Sequence, residues 1–510
     1  MKLKNKKIIV IGLGLNGSSI VNEMINVGAK VIAIDSNDFL DKKFFDKQFH
    51  LNDLKYISFY KYILKKLIMK NSLLYENPIT LRIQRLFKKR ELVHAEKSLF
   101  FFNYAFKAIN GRSNNWGRIS PRFSKKYLLN NREIWPLKYE ELLKYYKKIE
   151  TKLSLSGRKE KHTSFNGKII KKKSFSKLLF KIKNTILRCK IFKEFYIAPS
   201  LDYRHNTINP FLDDVMHSNN LEIIKNSICS KILCKNNSEI YGVEIYDKLK
   251  KEKKTLNADY VFLCSSPIET VKILLNSKSI YHKKGLGNDF NMVGKYFNDH
   301  IKTSFTGVVK FSNNNKFDLN PFHPSKNLEN FYILMNDQII KNRLKFIIHG
   351  SLSKKYNLFN LYSFAESDTK NRNYIKLSKT KKDKYGNKEV LIKFNWSKDD
   401  ILSWKTQIKT ITSVINIIEK KLNFKIFQKK NDKYNFMKIP KPGLSHHESG
   451  GAIMGFNKKN SVVNKNGKVW GLKNLFICDM SIFPSLSPYN PTLTSLAITN
   501  RTVEILKKSK

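Results

Sequence analysis

The stretch KKIIVIGLGLNGSSIVNEMINVGAKVIAID, residues 6–35, decides the fold of this chain. Residues 6–11 are an apolar run that leads into a glycine, residues 18–29 carry apolar side chains at helical spacing, and residues 30–35 form a second apolar run. The order strand, glycine-rich turn, helix, strand is typical of the first unit of a nucleotide-binding parallel sheet. The sequence therefore predicts a doubly wound α/β domain that starts at the N-terminus.

The turn between the first strand and the helix has the pattern G-x-G-x-x-G, with Gly12, Gly14 and Gly17. The first glycine permits a tight turn, the second lets the backbone approach a pyrophosphate, and the third lets the helix pack against the strand. The helix N-terminus then faces the phosphate charge. Asp35, at the end of the second strand, can accept hydrogen bonds from a ribose. The motif predicts nucleotide binding without separating FAD from NAD.

Length and composition bound the class of protein. The chain has 510 residues and is 41% hydrophobic, which suits two domains or one elaborate domain. No run of 18 apolar residues predicts a transmembrane helix, and we interpret residues 6–11 as a strand rather than as part of a signal peptide. The five cysteines are scattered and form no CxxC pair, so we expect no disulfide framework, no metal site and a reducing, cytoplasmic location.

The formal net charge of +55 is extreme for a chain of this length. It could serve a nucleic-acid or anionic-membrane partner. Lysines are spread along the whole chain, however, and no nucleic-acid motif interrupts them, so we favour a generic basic surface and predict no specific nucleic-acid partner. The densest basic amphipathic stretch, FYKYILKKLIMK at 59–70, could contact a membrane, but a solvated helix face is favoured.

The densest set of signals lies near the C-terminus. Residues 446–455 are HHESGGAIMG, and residues 469–496 are VWGLKNLFICDMSIFPSLSPYNPTLTSL. Together they resemble the closing signature of the glucose–methanol–choline oxidoreductases. In that pattern a histidine precedes two glycines and Met-Gly, a strand ends in aspartate before Phe-Pro, and a histidine or asparagine precedes proline. Here His447, Asp479 and Asn490 take those positions.

The resemblance extends over most of the chain, in the order of the family. Further segments that carry it are WPLKYEELLKYYKKIE (135–150), ADYVFLCSSPIETVKILLNS (258–277), VGKYFNDH (293–300) and AESDTKNRNYIKLSKTKKDKYGNKEVLI (365–392).

Membership of this family implies an FAD-dependent enzyme that oxidises an alcohol carbon. It implies an α/β fold, with a Rossmann-like FAD-binding domain and an inserted α+β substrate domain built on an antiparallel sheet. We expect FAD-binding segments at 1–125, 211–302 and 441–510, and substrate-domain segments at 126–210 and 303–440. The last FAD-binding segment carries the catalytic His447 and Asn490.

The chemistry explains these two residue types. Oxidation of a carbinol removes a proton from oxygen and a hydride from carbon. Histidine is suited to take the proton because its ordinary pKa, roughly 6.5, lies near neutrality. We therefore expect His447 to be the general base, with His446 as the alternative, and Asn490 to hold the substrate oxygen. The rate of flavin reduction should then rise through one ionisation near neutrality.

The resemblance also implies the contacts with FAD. The loop NGRSNNWG at 110–117 is similar to the family's loop around the isoalloxazine ring. Some relatives have a histidine just before the tryptophan and tether FAD covalently; Asn115 stands there, so we expect noncovalent FAD. A helix that begins near Thr492 would stabilise negative charge on the reduced flavin. The expected FAD contacts are Gly12, Gly14, Gly17, Asp35, Gly111, Ser113, Asn114, Asn115, Trp116, Cys229, Asp479, Met480, Pro491 and Thr492.

Two other classes of protein stay open at this point. One is an NAD-dependent dehydrogenase, and the other is a noncatalytic basic binding protein on a flavin fold. The substrate is expected to be a sugar or polyol, with a sterol-type alcohol as the alternative. The electron acceptor, whether oxygen, a quinone or a partner protein, is not indicated by the sequence.

Overall fold

The computed structural model describes residues 3–39, 87–89, 92–106, 108–201, 209–309, 329–353, 358–369, 373–422, 426–427 and 439–509. The basic stretch at 59–70 lies outside these residues. Within them, no helix combines the length and apolar character that a membrane crossing requires.

The strands, numbered in chain order, are β1 Lys7–Ile11, β2 Lys30–Ile34, β3 Phe87–Lys89, β4 Val93–His94, β5 Tyr104–Phe106, β6 Leu155–Gly157, β7 Lys171–Lys172, β8 Phe192–Ile197, β9 Ser200–Leu201, β10 Leu221–Ile224, β11 Ser227–Cys234, β12 Ile240–Asp247, β13 Glu252–Asn257, β14 Tyr260–Leu263, β15 Lys302–Val309, β16 Glu329–Met335, β17 Phe346–Ser353, β18 Leu358–Ala365, β19 Tyr374–Lys382, β20 Lys388–Lys393, β21 Ile426–Phe427 and β22 Leu475–Ile477. The α-helices are α1 Leu15–Ile25, α2 Lys125–Asn130, α3 Tyr139–Lys152, α4 Lys177–Leu187, α5 Pro210–Asp213, α6 Pro267–Asn276, α7 Lys398–Leu422 and α8 Thr492–Lys508.

A five-stranded parallel sheet forms the centre of the nucleotide-binding part. Its order is β10-β2-β1-β14-β22, with β1 in the middle. The apolar run of β1 is buried, as expected for a parallel strand that is covered on both faces. Ligands of such sheets bind beyond the carboxyl ends of the strands. Gly12, Asp35 and Cys478 directly follow β1, β2 and β22, so the predicted cofactor motifs meet at one edge.

A six-stranded sheet, in the order β21-β15-β18-β17-β16-β8, forms the second layer of the molecule. All its pairings are antiparallel. One face is apolar and packs against α4 and α7 through buried residues such as Phe331, Leu361 and Ile411. The opposite face carries polar side chains, because successive residues of a strand point to opposite faces.

That opposite face contains a cross-strand line of directly paired residues, which we call the polar row. Ser304 on β15 pairs with Tyr362 on β18, and Tyr362 pairs with His349 on β17. His349 pairs in turn with Tyr332 on β16, and Tyr332 with Tyr196 on β8. Paired residues share a face of a sheet. The polar row therefore crosses five of the six strands on the side away from α4 and α7.

The strands β19 and β20 do not join the six-stranded sheet. They pair with each other and, through β20, with β4 in a separate three-stranded sheet. Their apolar side chains, Ile375 and Ile392, join the core that contains Val271 of α6. The helix that follows β20 along the chain is α7, Lys398–Leu422.

The two large sheets draw their strands from alternating parts of the chain. The parallel sheet uses strands from the N-terminal, middle and C-terminal parts, whereas the six-stranded sheet uses β8, β15 to β18 and β21. The domain boundaries stay a prediction.

All five cysteines are free thiols. The cytoplasmic location likewise stays a prediction.

Candidate active site

His447 and Asn490 lie in contact although 43 residues separate them in the chain. The Nε2 atom of His447 is 3.4 Å from the Nδ2 atom of Asn490. The Oδ1 atom of that asparagine accepts a hydrogen bond of 2.6 Å from the hydroxyl group of Tyr332, in the polar row. Because the amide oxygen is engaged by Tyr332, the amide N–H group faces His447. This orientation gives Asn490 a donor on the side of the histidine.

His300 fixes the tautomer of His447. Its Nε2 atom is 2.8 Å from the carbonyl oxygen of Ser487, which can only accept, so Nε2–H of His300 donates. Burial lowers the pKa of His300 to about 4, so the ring is neutral and its Nδ1 atom is an acceptor. That atom is 2.9 Å from Nδ1 of His447. His447 therefore carries its proton on Nδ1, and its Nε2 lone pair is available beside Asn490.

The ionisation of His447 differs from the expectation from sequence. Burial, followed by the nearby His300 and Lys302, lowers the pKa of His447 well below its ordinary value. The ring is then neutral throughout the neutral pH range, which is the form that a general base requires. The ionisation of His447 is thus displaced from neutrality into acid.

A partly buried ion pair supports the segment that carries His447. The guanidinium group of Arg112 forms a two-point pair with the carboxylate of Glu448, with Nη2 2.8 Å from Oε1. Arg112 also donates to the carbonyl oxygen of His446, at 3.3 Å. His446 has a φ of +59°, which is uncommon for a residue other than glycine. The two adjacent histidines are therefore held at different orientations, and the ring of His447 is the one seated against Asn490.

The first turn has the shape that a pyrophosphate requires. A Cβ atom added to Gly14 would meet nothing within 4 Å, so the space in front of this glycine is open. α1 begins directly after Gly14, with no side chain capping its first turn and no acidic residue in it. In contrast, a Cβ atom on Gly17 would overlap the carbonyl oxygen of Gly12. The open cradle at a helix N-terminus fits a bound anion such as the pyrophosphate of FAD.

The loop predicted to surround the flavin ring contains a short 3₁₀ helix at Gly111–Asn115. The hydroxyl group of Ser113 donates to the backbone carbonyl oxygen of Asn110, and the side-chain amide of Asn114 donates to that of Gly111. These two side chains therefore stabilise the conformation of the loop. The Nε1 atom of Trp116 is buried and has no hydrogen-bond partner among the described residues. An orphaned donor at this position fits a loop that completes its hydrogen bonds with a cofactor.

The two predicted cofactor carboxylates form hydrogen bonds within the protein. Asp35 accepts from the backbone N–H groups of Leu13, at 3.0 Å, and Asn37, at 2.9 Å, and so fastens the first turn to β2. Asp479 accepts from the N–H group of Ser481, at 2.8 Å, and from the hydroxyl group of Thr270, at 2.6 Å. Asp479 caps the 3₁₀ helix Met480–Ile482. Asp35 thus stabilises the turn before α1, and Asp479 stabilises the turn after β22. These roles are independent of any contact with FAD.

The remaining predicted contacts occupy different surroundings. Cys229 is buried in β11, and burial raises the pKa of its thiol far above the ordinary value, so it is unreactive. The carbonyl oxygen of Met480 accepts from the N–H group of Gly450, at 3.0 Å, which ties the 3₁₀ helix Met480–Ile482 to the segment after His447. Pro491, which directly follows Asn490, is the N-cap residue of α8, and Thr492 is the first residue of that helix.

Several site residues were not predicted from the sequence. His300 lies in the segment 293–300 that carries the resemblance, which is a usable signal, but no role had been assigned to it. Tyr332 and Lys302 lie in strands whose only sequence signal is alternation of apolar and polar residues. Arg112 lies in the predicted loop, but its partner Glu448 is distant in sequence.

Two family models, both described as GMC oxidoreductase, match residues 130–302 and residues 369–499, together more than half of the chain. The chain belongs to the GMC oxidoreductase family. Its predicted fold class and its cofactor, FAD, are confirmed by this membership. The first match of the GMC oxidoreductase models ends just after His300, and the second contains both His447 and Asn490.

Relatives share parts of the chain. The gluconate 2-dehydrogenase flavoprotein of Pantoea cypripedii is 30% identical over 135 residues, which are 25% of this chain and 20% of that protein. The 2-methyl-1,2-propanediol dehydrogenase of Mycolicibacterium austroafricanum is 24% identical over 298 residues, 53% of this chain and 52% of that protein. The match to this GMC chain thus covers about half of the length of one of these curated relatives and a fifth of the length of the other.

A solved structure shares the whole fold. An FAD-dependent oxidoreductase from Chaetomium thermophilum superposes with a TM-score of 0.68 at 14% identity, covering 99% of both chains. At this identity the likeness establishes the GMC fold alone.

Proposed function

We propose that the protein oxidises a CH–OH group of a sugar or polyol, with His447 as the general base and Asn490 as the residue that holds the substrate oxygen. One observation carries this proposal. The chain of contacts from His300 through His447 to Asn490 leaves a histidine lone pair and an amide N–H group side by side. A hydroxyl group can donate its proton to the first and accept a hydrogen bond from the second.

His447, His300 and Asn490 have different roles in the proton transfer. His447 removes it at Nε2, while His300 accepts the Nδ1–H group and holds the ring in place. Asn490 stabilises the oxygen as negative charge develops on it. FAD, when bound, supplies the acceptor for the hydride that leaves the carbinol carbon. The turn at Gly14, the loop at Gly111–Asn115 and the N-terminal end of α8 would hold the cofactor, without a covalent bond.

The substrate class is supported by the polar row. Tyr332 connects this row to Asn490, so the wall beside the catalytic pair presents hydroxyl and imidazole groups. Such a wall suits a molecule with several hydroxyl groups better than an apolar sterol-type alcohol, whose burial would leave polar atoms unsatisfied. Two relatives are named for gluconate and for a propanediol, which fits the same class.

The test is anaerobic flavin reduction by single alcohols. Wild-type protein purified with FAD should be bleached by a sugar or polyol such as glucose or sorbitol, and much less by a sterol. His447→Ala should keep its FAD and lose reduction by roughly a hundredfold or more, the scale of a general base. Asn490→Ala should also lose reduction, and the double variant should lose less than the product of the two because both residues act on one transition state.

Two outcomes would contradict the proposal. Reduction at the wild-type rate in His447→Ala would show that His447 is not the base, and His446 would be the residue to test. A wild-type protein that binds FAD but is bleached by no alcohol would favour the noncatalytic alternative.

A further inference from the structure

The polar row contains a buried nitrogen without a partner. His349 is 8% exposed, and its Nε2 atom is buried with no hydrogen-bond partner among the described residues. Its ring lies between those of Tyr332 and Tyr362, at centroid distances of 5.0 and 5.9 Å. Burial lowers the pKa of His349 to about 3, so the ring is neutral and has one N–H group to donate. Unsatisfied buried polar atoms are rare and need an explanation.

Lys302 lies on the same face of the sheet, beside the polar row. It is two residues before Ser304 on β15, so its side chain shares that face. Its Nζ atom is 5.2 Å from the ring centroid of Tyr362 and 5.9 Å from that of Phe364. The ring of Phe364 is in turn 5.3 Å from the ring of His447. One aromatic ring therefore separates the ammonium group from the predicted base.

We propose that Lys302 and His349 form a subsite for a carboxylate of the substrate, so that the enzyme acts on hydroxy acids of the sugar-acid type. This inference rests on the proposed function, because it places the carboxylate a few carbons from the carbinol at His447. The ammonium group supplies the countercharge, and the imidazole N–H group of His349 donates to one carboxylate oxygen.

The charge of the subsite favours a carboxylate over a phosphate. Burial lowers the pKa of Lys302 to about 7, and a carboxylate bound beside it favours the charged ammonium form, so one positive charge beside a neutral imidazole matches one negative charge. Phosphate groups carry close to two charges at neutral pH and are usually bound by arginine forks or helix N-termini. The proposed subsite has neither feature: its one cation, Lys302, is a lysine, and Lys302 and His349 both lie on strands.

Occupation of the subsite would also assist the base. The positive charge of Lys302 opposes protonation of His447 and is one cause of its lowered pKa. A substrate carboxylate beside Lys302 offsets that charge, so His447 accepts the substrate proton more readily. A hydroxy acid is thus favoured over the matching neutral alcohol both in binding and in the chemical step.

The experiment compares matched probes on the FAD-loaded enzyme. Gluconate and sorbitol differ by a carboxylate in place of a hydroxymethyl group. Wild-type enzyme should reduce its flavin with a higher kcat/KM for gluconate than for sorbitol. Lys302→Met should lower the acid-to-alcohol ratio by roughly tenfold to a hundredfold, the scale of a charge-assisted hydrogen bond. Lys302→Arg should restore much of the ratio.

A matched control is Lys376→Met. Lys376 also lies over a tyrosine ring, that of Tyr374 at 4.4 Å, but it is exposed on β19. Its replacement should leave the ratio unchanged. Binding is measured separately by titrating propionate, with propanamide as the neutral match, and following the flavin absorption spectrum. Lys302→Met and His349→Phe should each weaken propionate binding and leave propanamide binding as it is.

The outcomes separate the subsite from the proposed function. Flavin reduction with equal kcat/KM for acid and alcohol, unaffected by Lys302→Met, would overturn the subsite and leave alcohol oxidation intact. If no alcohol or acid reduces the flavin, the proposed function fails, and propionate binding that does not depend on Lys302 overturns the subsite as well.

Discussion

At the scale of single residues, the reactivity of His447 depends on a neighbour that never touches the substrate. His300 holds the proton of His447 on Nδ1 because its own Nε2–H group is committed to the carbonyl oxygen of Ser487. Groups that fix an imidazole tautomer in this way commonly change activity by ten- to a hundredfold when they are removed.

His300→Phe should therefore lower kcat for flavin reduction by roughly tenfold to a hundredfold with FAD retained, because the ring of His447 loses its acceptor. His300→Gln should recover part of the rate, since its side-chain oxygen can accept the same hydrogen bond. The control is His217→Phe at an exposed position. Equal rates in the Phe and Gln variants would mean that His300 acts only by filling space.

The pH dependence of reduction also follows from the buried histidine. His447 itself should contribute no ionisation near neutrality, and its own effect on the rate should appear only in acid, where the imidazole becomes protonated. Burial lowers the pKa of Lys302 to about 7, and loss of its positive charge as pH rises favours proton transfer to His447. With a neutral alcohol, a rise in rate near pH 7 should therefore disappear in Lys302→Met. A rise that persists in this variant would assign the ionisation to another group.

The sequence indicated the predicted catalytic pair but not its supports. His447 and Asn490 stand beside glycines and prolines at characteristic spacing, so a local pattern marks them. Tyr332 reaches Asn490 only through the register of β16 in a sheet whose strands are far apart in the chain. Strand register depends on tertiary packing, and one sequence therefore leaves such contacts open.

At the scale of elements, the turn between β1 and α1 separates folding from cofactor binding. The backbone of Gly14 is extended, with φ of −74°, and open space lies where its side chain would be. The turn at Gly14 therefore tolerates a side chain in the free protein. At Gly17 a side chain meets the backbone of Gly12, so the helix could no longer pack there.

Gly14→Val should consequently fold normally and be purified without the yellow colour of FAD, because the valine occupies the pyrophosphate space. Gly17→Val should instead lower the thermal unfolding midpoint, through a clash within the protein. Circular dichroism and flavin absorbance distinguish the two. A Gly14→Val protein with a full complement of FAD would contradict the assignment of this cradle.

The strands β19 and β20 show that a sequence pattern can indicate a strand without indicating the sheet to which it belongs. The alternation of apolar and polar residues at 374–378 is typical of a strand, because alternation is a local property. It does not indicate the sheet that the strand joins: β19 and β20 pair antiparallel in a sheet of their own and bury Ile375 and Ile392 against the core at α6. Which sheet a strand joins depends on partners such as β4, which lies far away in the sequence.

At the scale of the whole molecule, the net charge of +55 is not assigned to any one site of the structure. Many lysines pair with acidic residues at the surface, as Lys144 does with Glu504 and Lys507 with Glu23. We expect binding to DNA to be weak and independent of sequence, and to fall steeply between low and physiological salt as counterions are released. Fluorescence anisotropy with duplexes of different sequence checks this. Sequence-selective binding at physiological salt would favour a nucleic-acid partner.

The order of the parallel sheet has a consequence for synthesis. β14 presents its pairing edge to β22, and β22 leaves the ribosome only after the whole six-stranded sheet and α7 have been translated. Until then the edge of β14 is an open template for other strands, which is an aggregation hazard. Asn490 and α8 emerge later still, so a nascent chain completes the predicted catalytic pair only after β22 has been translated. We therefore expect a truncated chain that ends before β22 to be inactive and prone to aggregation. Chaperones that shield the edge of β14 should raise the yield of FAD-loaded protein.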